Sequence, residues 1–320
     1  MTGKSLKPCM HNIAIYDLRV LPCTFDIATF FCTAYGYFAR NFDNQEEKIH
    51  PVIIRGKNMR KPDFRNTNVD EEIDRRMHRL AMPLISLLPF LEKPVIVSQT
   101  KIADTIFKDC EVVFPKKYNG KSPELYKYYK NRMLYREAKI KDLRLINNGI
   151  SSLQHAKNQL DAISPSLRPI LVHERKNIVA NDPSRDSNFE WLESVCEKLS
   201  GIRPVIFVPD FLSTSYINKR NVTTLLCGSN DLLHKAALIE LASLNIFNSG
   251  GGSPLAYLNK KTKYIQTGVA EGSTFTRSWF EKEGIDPDIN PLAPQDRFQQ
   301  WTADKLSPIE IMTRSQELIE

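Results

Sequence analysis

Short, almost wholly apolar runs recur along the chain, separated by longer stretches in which apolar and polar positions mix. Residues 12–16 (NIAIY), 51–54 (PVII) and 94–98 (PVIVS) are too short for helices and too apolar for surface loops. That pattern predicts strands buried on both faces, as in a parallel sheet. Between the first two lies 26–38, an apolar helix candidate opened by the Thr24–Asp26 cap region. Between the next two lies 70–91, polar at its start and apolar at its end, with a break expected at Pro83. The rhythm restarts at 169–173 (PILVH) and continues through 204–208 (PVIFV), 223–227 (TTLLC), 244–247 (LNIF) and 263–266 (KYIQ). Helices are expected after a cap at 186–188, carrying Leu192, Val195, Cys196 and Leu199 at helical spacing, and over 232–241 behind Gly228-Ser229-Asn230-Asp231. A last helix is expected over 308–318. Strands alternating with helices twice over predict an α/β protein of two facing Rossmann-like domains, with a C-terminal helix left over.

Two stretches depart from this rhythm. Residues 147–161 read as a polar stretch that runs into Ile163-Ser164-Pro165-Ser166, the expected linker. The expected division is therefore 1–162, 163–295 and a helical tail, 296–320, packing back on the first domain. Residues 116–141 hold nine Lys/Arg, two Glu and five Tyr (Tyr118, Tyr126, Tyr128, Tyr129, Tyr135), and are expected to be helical from about Pro123. Such a stretch is usually a solvated helix face. It also suits contact with an anionic membrane or a lipid-linked ligand, through Lys/Arg attraction and tyrosine at the interface. Single-stranded nucleic acid is drawn to similar surfaces, but no RNA or DNA module signature accompanies this one, so nucleic acid is not the expected partner.

Charge sharpens the question of partners. Across 320 residues the formal net charge is +7, which points to an anionic ligand without choosing among nucleotide, lipid and nucleic acid. No apolar run approaches the roughly 20 residues needed to span a bilayer, and the N-terminus lacks a signal-peptide apolar stretch. The six cysteines are scattered without a CxxC pair, as expected of reduced, mostly buried thiols in a cytoplasmic protein. No compact Asp-x-Asp or His cluster suggests a metal, and no cofactor is expected.

The residues with the most chemistry to offer lie in 244–268. A strand leads into Ser249, Gly250, Gly251, Gly252 and Ser253, a short helix follows from Ser253, and a second strand closes the unit. Strand, glycine loop and helix start in that order form an anion site. Glycine lets the backbone approach a ligand, and the first amides of the helix point toward negative charge.

The order of elements from Thr223 to Gly268 resembles the donor-binding half of GT-B-fold glycosyltransferases, above all the heptosyltransferase-like group. That group carries an Asn-Asp-Ser-Gly-Pro loop where this chain has Asn248-Ser249-Gly250-Gly251-Gly252-Ser253-Pro254. The Asp of the pattern is missing, and Ser249 stands in its place. His173-Glu174-Arg175 at a strand end resembles the strand-terminal His-x-Arg of fucosyltransferase-like enzymes, in which the Arg holds the donor diphosphate. Asp26 matches the position after the first strand where heptosyltransferase-like enzymes carry an Asp thought to act as base, although Phe25 replaces the preceding Gly.

The resemblance implies a metal-independent transfer of a sugar from a nucleotide-sugar donor to a glycan or lipid-linked acceptor, in surface-polysaccharide assembly on the inner face of a membrane. Arg175 and the 249–253 loop would bind the donor diphosphate, His173, Ser229 and Asn230 would approach the nucleotide, and Asp26 would act as base from across the cleft. Each has a structural alternative: His173 as a satisfied core histidine, Arg175 as an ion-pair partner of Glu174 or Asp186, Asp26 as a helix cap with Asp17 and Arg19 as fallbacks, and His234 as a purely structural residue. A nucleotide-sugar epimerase of the same fold and a non-catalytic nucleotide-sugar-binding subunit stand as the competing functions.

Overall fold

The structure, a computed structural model, describes residues 12–19, 21–41, 48–55, 69–97, 112–116, 118, 131–176, 186–210, 213–226, 231–248, 250, 252–268 and 276–319. The chain divides into two compact units, Met1–Pro62 with Leu88–Leu143, and Asp63–Leu87 with Arg144–Glu320. The described helices, in chain order, are α1 (Asp26–Asn41), α2 (Val69–Arg76), α3 (Met82–Ser86), α4 (Asn131–Ala138), α5 (Ile150–Ile163), α6 (Phe189–Ser200), α7 (Leu232–Leu241), α8 (Pro254–Tyr257), α9 (Arg277–Lys282) and α10 (Pro308–Ile319).

The first unit is built on strands β1 (Asn12–Asp17), β2 (His50–Ile54), β3 (Val95–Val97) and β4 (Val112–Phe114). All pairs are parallel, in the order β3-β2-β1-β4. Alternation along β1 sends Ile13 and Ile15 to one face, where they join Val52, Ile54 and Val97. Tyr16 turns to the other and meets Phe30 of α1 edge-to-face, with ring centroids 5.1 Å apart. Phe31 and Phe114 complete that aromatic layer. Such edge contacts add to what burial of the rings alone contributes.

The second unit carries β5 (Ile170–His173), β6 (Val205–Val208), β7 (Val222–Thr224), β8 (Leu244–Asn248), β9 (Tyr264–Thr267) and β10 (Gln299–Trp301), again all parallel, in the order β10-β9-β8-β5-β6-β7. From β5 the chain builds outward through β6 and β7, then returns to the other side of β5 with β8 and builds outward again. That is the doubly wound Rossmann order, and the reversal falls between β5 and β8. Leu192, Val195, Cys196 and Leu199 of α6 fill one face with Val172, Phe207, Ile246 and Ile311. Asn188 caps α6 by accepting from Trp191 N at 2.8 Å. Cys23, Cys32 and Cys196 are buried and in no disulfide, and burial pushes the Cys196 thiol up to about 12.

Several expectations need correction. Residues 150–163 form α5 rather than a polar lead-in to a linker. Only Ala156 and Leu160 of α5 are buried, so its apolar stripe is too thin to announce a helix. The unit boundary falls between Leu143 and Arg144, and 163–166 lies inside the second unit. The C-terminal helix α10 packs on α6 within the second unit. Pro83 does not end the 70–91 helix. A π-helical turn, Met77–Ala81, precedes it, with Met82 N–H reaching Met77 O, so the register changes ahead of the proline ring that cannot donate. Strands β4 and β10 were not anticipated; at three residues each they offer almost no periodicity. Of the five tyrosines in 116–141, Tyr135 is buried and Tyr118 is bonded to the end of β1, so neither is displayed toward a membrane, and 119–130 lies outside the described residues. Among the described residues no helix is long and apolar enough to cross a membrane.

Candidate functional site

Ligands of doubly wound sheets bind at the carboxyl ends of the strands, where the strand order reverses. In the second unit that point lies between β5 and β8, whose ends sit side by side with His173 in register with Phe247. Two residues beyond each strand stand Arg175 and Gly250. Gly250 adopts φ +101°, and a Cβ built on it would lie 2.6 Å from Arg175 Nη1 and 2.9 Å from Cζ. The guanidinium is thus packed against a backbone that only glycine can present there. Arg175 is itself only 8% exposed.

Ser187 fixes this arrangement. Its Oγ accepts from Arg175 N at 2.9 Å and from Asn248 Nδ2 at 3.1 Å, and its own N–H donates to Arg175 O at 2.8 Å. One hydroxyl therefore ties the end of β5 to the end of β8. Glu174, also buried, stitches β5 to β6. Its Oε2 accepts from Asp210 N at 3.1 Å and its Oε1 from Ser215 Oγ at 2.7 Å. With these bonds made, Glu174 serves the β5–β6 junction and is not the partner that holds Arg175 among the described ion pairs.

Part of the turn's backbone is bonded within the turn itself. Ser253 N donates to Gly250 O and Leu255 N to Gly252 O, and Pro254 has no N–H. The helix that follows, α8, is a single turn of four residues, so its dipole is small. Two side-chain cations also flank the turn. Lys235 of α7 is one of them, and sequence reasoning missed it. It is 6% exposed, and a Cβ on Gly252 would lie 3.3 Å from its Cε. A lysine on a mostly apolar helix, LLHKAALIEL, was the available signal. Ser253 is buried beside the turn without a side-chain cap bond, whereas Ser249, Gly251, Ser229 and Asn230 lie outside the described residues. Asp231 does cap α7, accepting from Leu233 N and His234 N.

His173 faces inward rather than toward a ligand. Its ring stacks on Phe247 at 4.2 Å, and its Nε2 lies 3.2 Å from Asn245 Oδ1. Asn245 spends its Nδ2 on the carbonyls of Ile239 and Lys263, so Oδ1 is the acceptor and the His173 proton sits on Nε2. Burial, reinforced by the charge of Lys235, holds this histidine well below its ordinary pKa. The folded ring stays neutral where the unfolded one, near 6.5, takes a proton. Stability is therefore fully present above that value and falls as pH drops through it, by up to about 1.4 kcal/mol per pH unit. His173→Gln removes the titration, so its urea midpoint is expected to fall less steeply than that of the wild type between about pH 6.5 and 5; equal slopes would refute a neutral buried ring. His234, likewise inward, bonds Gln159 of α5 at 2.5 Å and holds α7 to α5.

In the first unit Asp26 opens α1. It is exposed, and its Oδ2 accepts from Thr24 Oγ1 at 3.0 Å. Asp17 and Arg19 sit at that unit's own strand reversal, between β1 and β4. Asp17 is fully buried and accepts from Arg19 Nε at 2.9 Å and from Tyr118 Oη at 2.8 Å. Asp17, Arg19 and Tyr118 thus tie β1 to the segment after β4, and of the two carboxylates Asp26 is the one that faces solvent.

With the geometry in hand, comparison with known proteins identifies the architecture. No protein-family model and no curated protein sequence matches the chain. A solved structure does: the glycosyl transferase family 9 protein from Veillonella parvula DSM 2008, at a TM-score of 0.53 and 10% identity, over 99% of each chain. The fold is that of a GT-B glycosyltransferase, two parallel α/β units and their helices. At that identity the likeness speaks for the fold alone.

Proposed function

We propose that this protein is a glycosyltransferase that moves a sugar from a nucleotide-sugar donor to a glycan or lipid-linked acceptor, without metal, in surface-polysaccharide assembly. The observation that carries the reading is the packing of Arg175 against Gly250 at the strand reversal of a Rossmann-like unit, in a chain with the fold of a glycosyl transferase. Breaking the bond between the anomeric carbon and the diphosphate leaves negative charge on the departing phosphate. A fixed guanidinium stabilises that charge without a divalent ion. Arg175, with Gly250, Gly252, Ser253 and the neighbouring Ser249 and Gly251, binds the diphosphate in this reading, and Ser229 and Asn230 approach the nucleotide. The acceptor hydroxyl forms the new bond to the anomeric carbon and gives its proton to Asp26, whose carboxylate is exposed where that of Asp17 is buried.

The test is a thermal-shift and product-release screen against UDP-, GDP-, ADP- and CMP-sugars. At least one donor is expected to stabilise the protein and to be consumed. Asp26→Asn is expected to slow transfer by about 10²–10⁴-fold while donor binding stays near wild type. No shift with any nucleotide would overturn the reading. Interconversion of the donor sugar without an acceptor would replace it with an epimerase, and binding without turnover with a non-catalytic subunit.

A further inference from the structure

The glycine turn is flanked by two cations from different elements. Arg175, beyond β5, lies against Gly250, and Lys235, on α7, lies against Gly252. Lys235 is the more demanding of the two to explain. It is 94% buried, the complement of its 6% exposure, yet among the described residues its ammonium has neither a hydrogen bond nor an ion pair. A lysine is rarely buried without a partner, because removal of its charge from water is costly. Glu174 and Asp210 lie close enough to favour its charge, but both already hold other groups: Glu174 takes Asp210 N and Ser215 Oγ, and Asp210 Oδ2 takes Lys176 N at 2.8 Å.

We propose that Lys235 contacts the second phosphoryl group of a bound nucleoside diphosphate, and that this contact is what distinguishes a diphosphate from a monophosphate at the turn. The inference rests on the donor-site reading given above. Arg175 alone can hold one phosphate through its planar fork. A second cation two residues along the same turn has use only for a ligand that presents a second anionic centre beside the first. Donors linked through a single phosphate, such as CMP-sugars, leave Lys235 without its partner. Burial lowers the lysine's pKa against the pull of Glu174 and Asp210, as expected of a cation that waits for an anion.

The proposal separates from a structural role by the sign of a stability change. If Lys235 is an unpartnered contact residue, Lys235→Met relieves a buried charge, so the ligand-free protein melts at the wild-type temperature or higher. If it is the internal counter-ion of Glu174 and Asp210, the same change removes the cation beside buried Glu174 and half-buried Asp210, and the protein melts lower or fails to fold. Calorimetric titration with UDP and UMP, GDP and GMP, and ADP and AMP supplies the second readout. The wild type is expected to bind one diphosphate about 10-fold or more tighter than its monophosphate, the worth of one charge-assisted contact. In Lys235→Met, and in the closer Lys235→Gln, that preference is expected to collapse to within about threefold, with monophosphate affinity little changed. An unaltered preference, or a lowered melting temperature in both variants, overturns the proposal. A wild type that binds no nucleotide at all overturns the donor-site reading itself, and the proposal with it.

Discussion

Gly250→Ala is expected to weaken nucleoside-diphosphate binding by about 10-fold or more, although it adds one methyl group and removes no charge. Two costs arise together. The backbone there has φ +101°, which an L side chain adopts at a cost of about 1–2 kcal/mol. The new Cβ also falls 2.6 Å from Arg175 Nη1, so the guanidinium has to move. Because that atom is the far end of a flexible side chain, the fold accommodates the shift; the damage falls on the position of the charge. A double-mutant cycle reads this directly. Arg175→Ala alone is expected to cost roughly 10- to 150-fold in diphosphate affinity, the range of a hydrogen bond to a charged group. Adding Gly250→Ala to it should cost little more, since no guanidinium remains to be displaced. Additive losses would mean that Gly250 acts through the loop's own shape, and Arg175 would lose its place as the reason for the glycine.

Part of the second unit could be read from the chain, because β5 and β6 are nearly pure apolar runs and α6 and α7 start on side-chain caps. Val205–Val208 is buried at every position, and Asn188 and Asp231 stand where helix starts were expected. Arg175 and the glycine turn were likewise visible as a strand-end cation and a loop that needs no side chains. Lys235 was not. It is brought to the turn by α7, seventeen residues upstream of Gly252 in sequence, and nothing in local spacing says that the two meet. The unit boundary was hidden for a related reason. Residues 69–87 add their helical stretch to the second unit after the chain has already begun the first, and α5 shows too few buried positions to be seen as a helix at all. Periodicity reports what one element buries; it does not report which sheet the element is buried against.

Gly268→Ala is expected to be the most destabilising single methyl addition among the described glycines, at about 3 kcal/mol or more. Gly268 follows β9, and the segment after β10 closes directly over it. Its N–H donates to Asp304 O at 2.9 Å, Thr302 N donates to Gln266 O at 3.0 Å, and Thr267 Oγ1 bridges Asp304 O and Leu306 N at 3.0 and 2.8 Å. A Cβ on Gly268 would lie 1.7 Å from Ala303 O and 2.3 Å from Ala303 C. These are backbone atoms held by that ladder, so relief requires the whole 302–306 segment to lift and the bonds around it to break. The contrast is Gly284, at φ +69° with nothing within 4 Å of its would-be Cβ, where alanine pays only the conformational cost of about 1 kcal/mol. Scanning calorimetry should therefore place the Gly268→Ala melting temperature roughly 6–12 °C below wild type and that of Gly284→Ala only a few degrees below. Equal shifts would show that the 302–306 segment yields freely, and the closure over β9 would then contribute little to holding the sheet together.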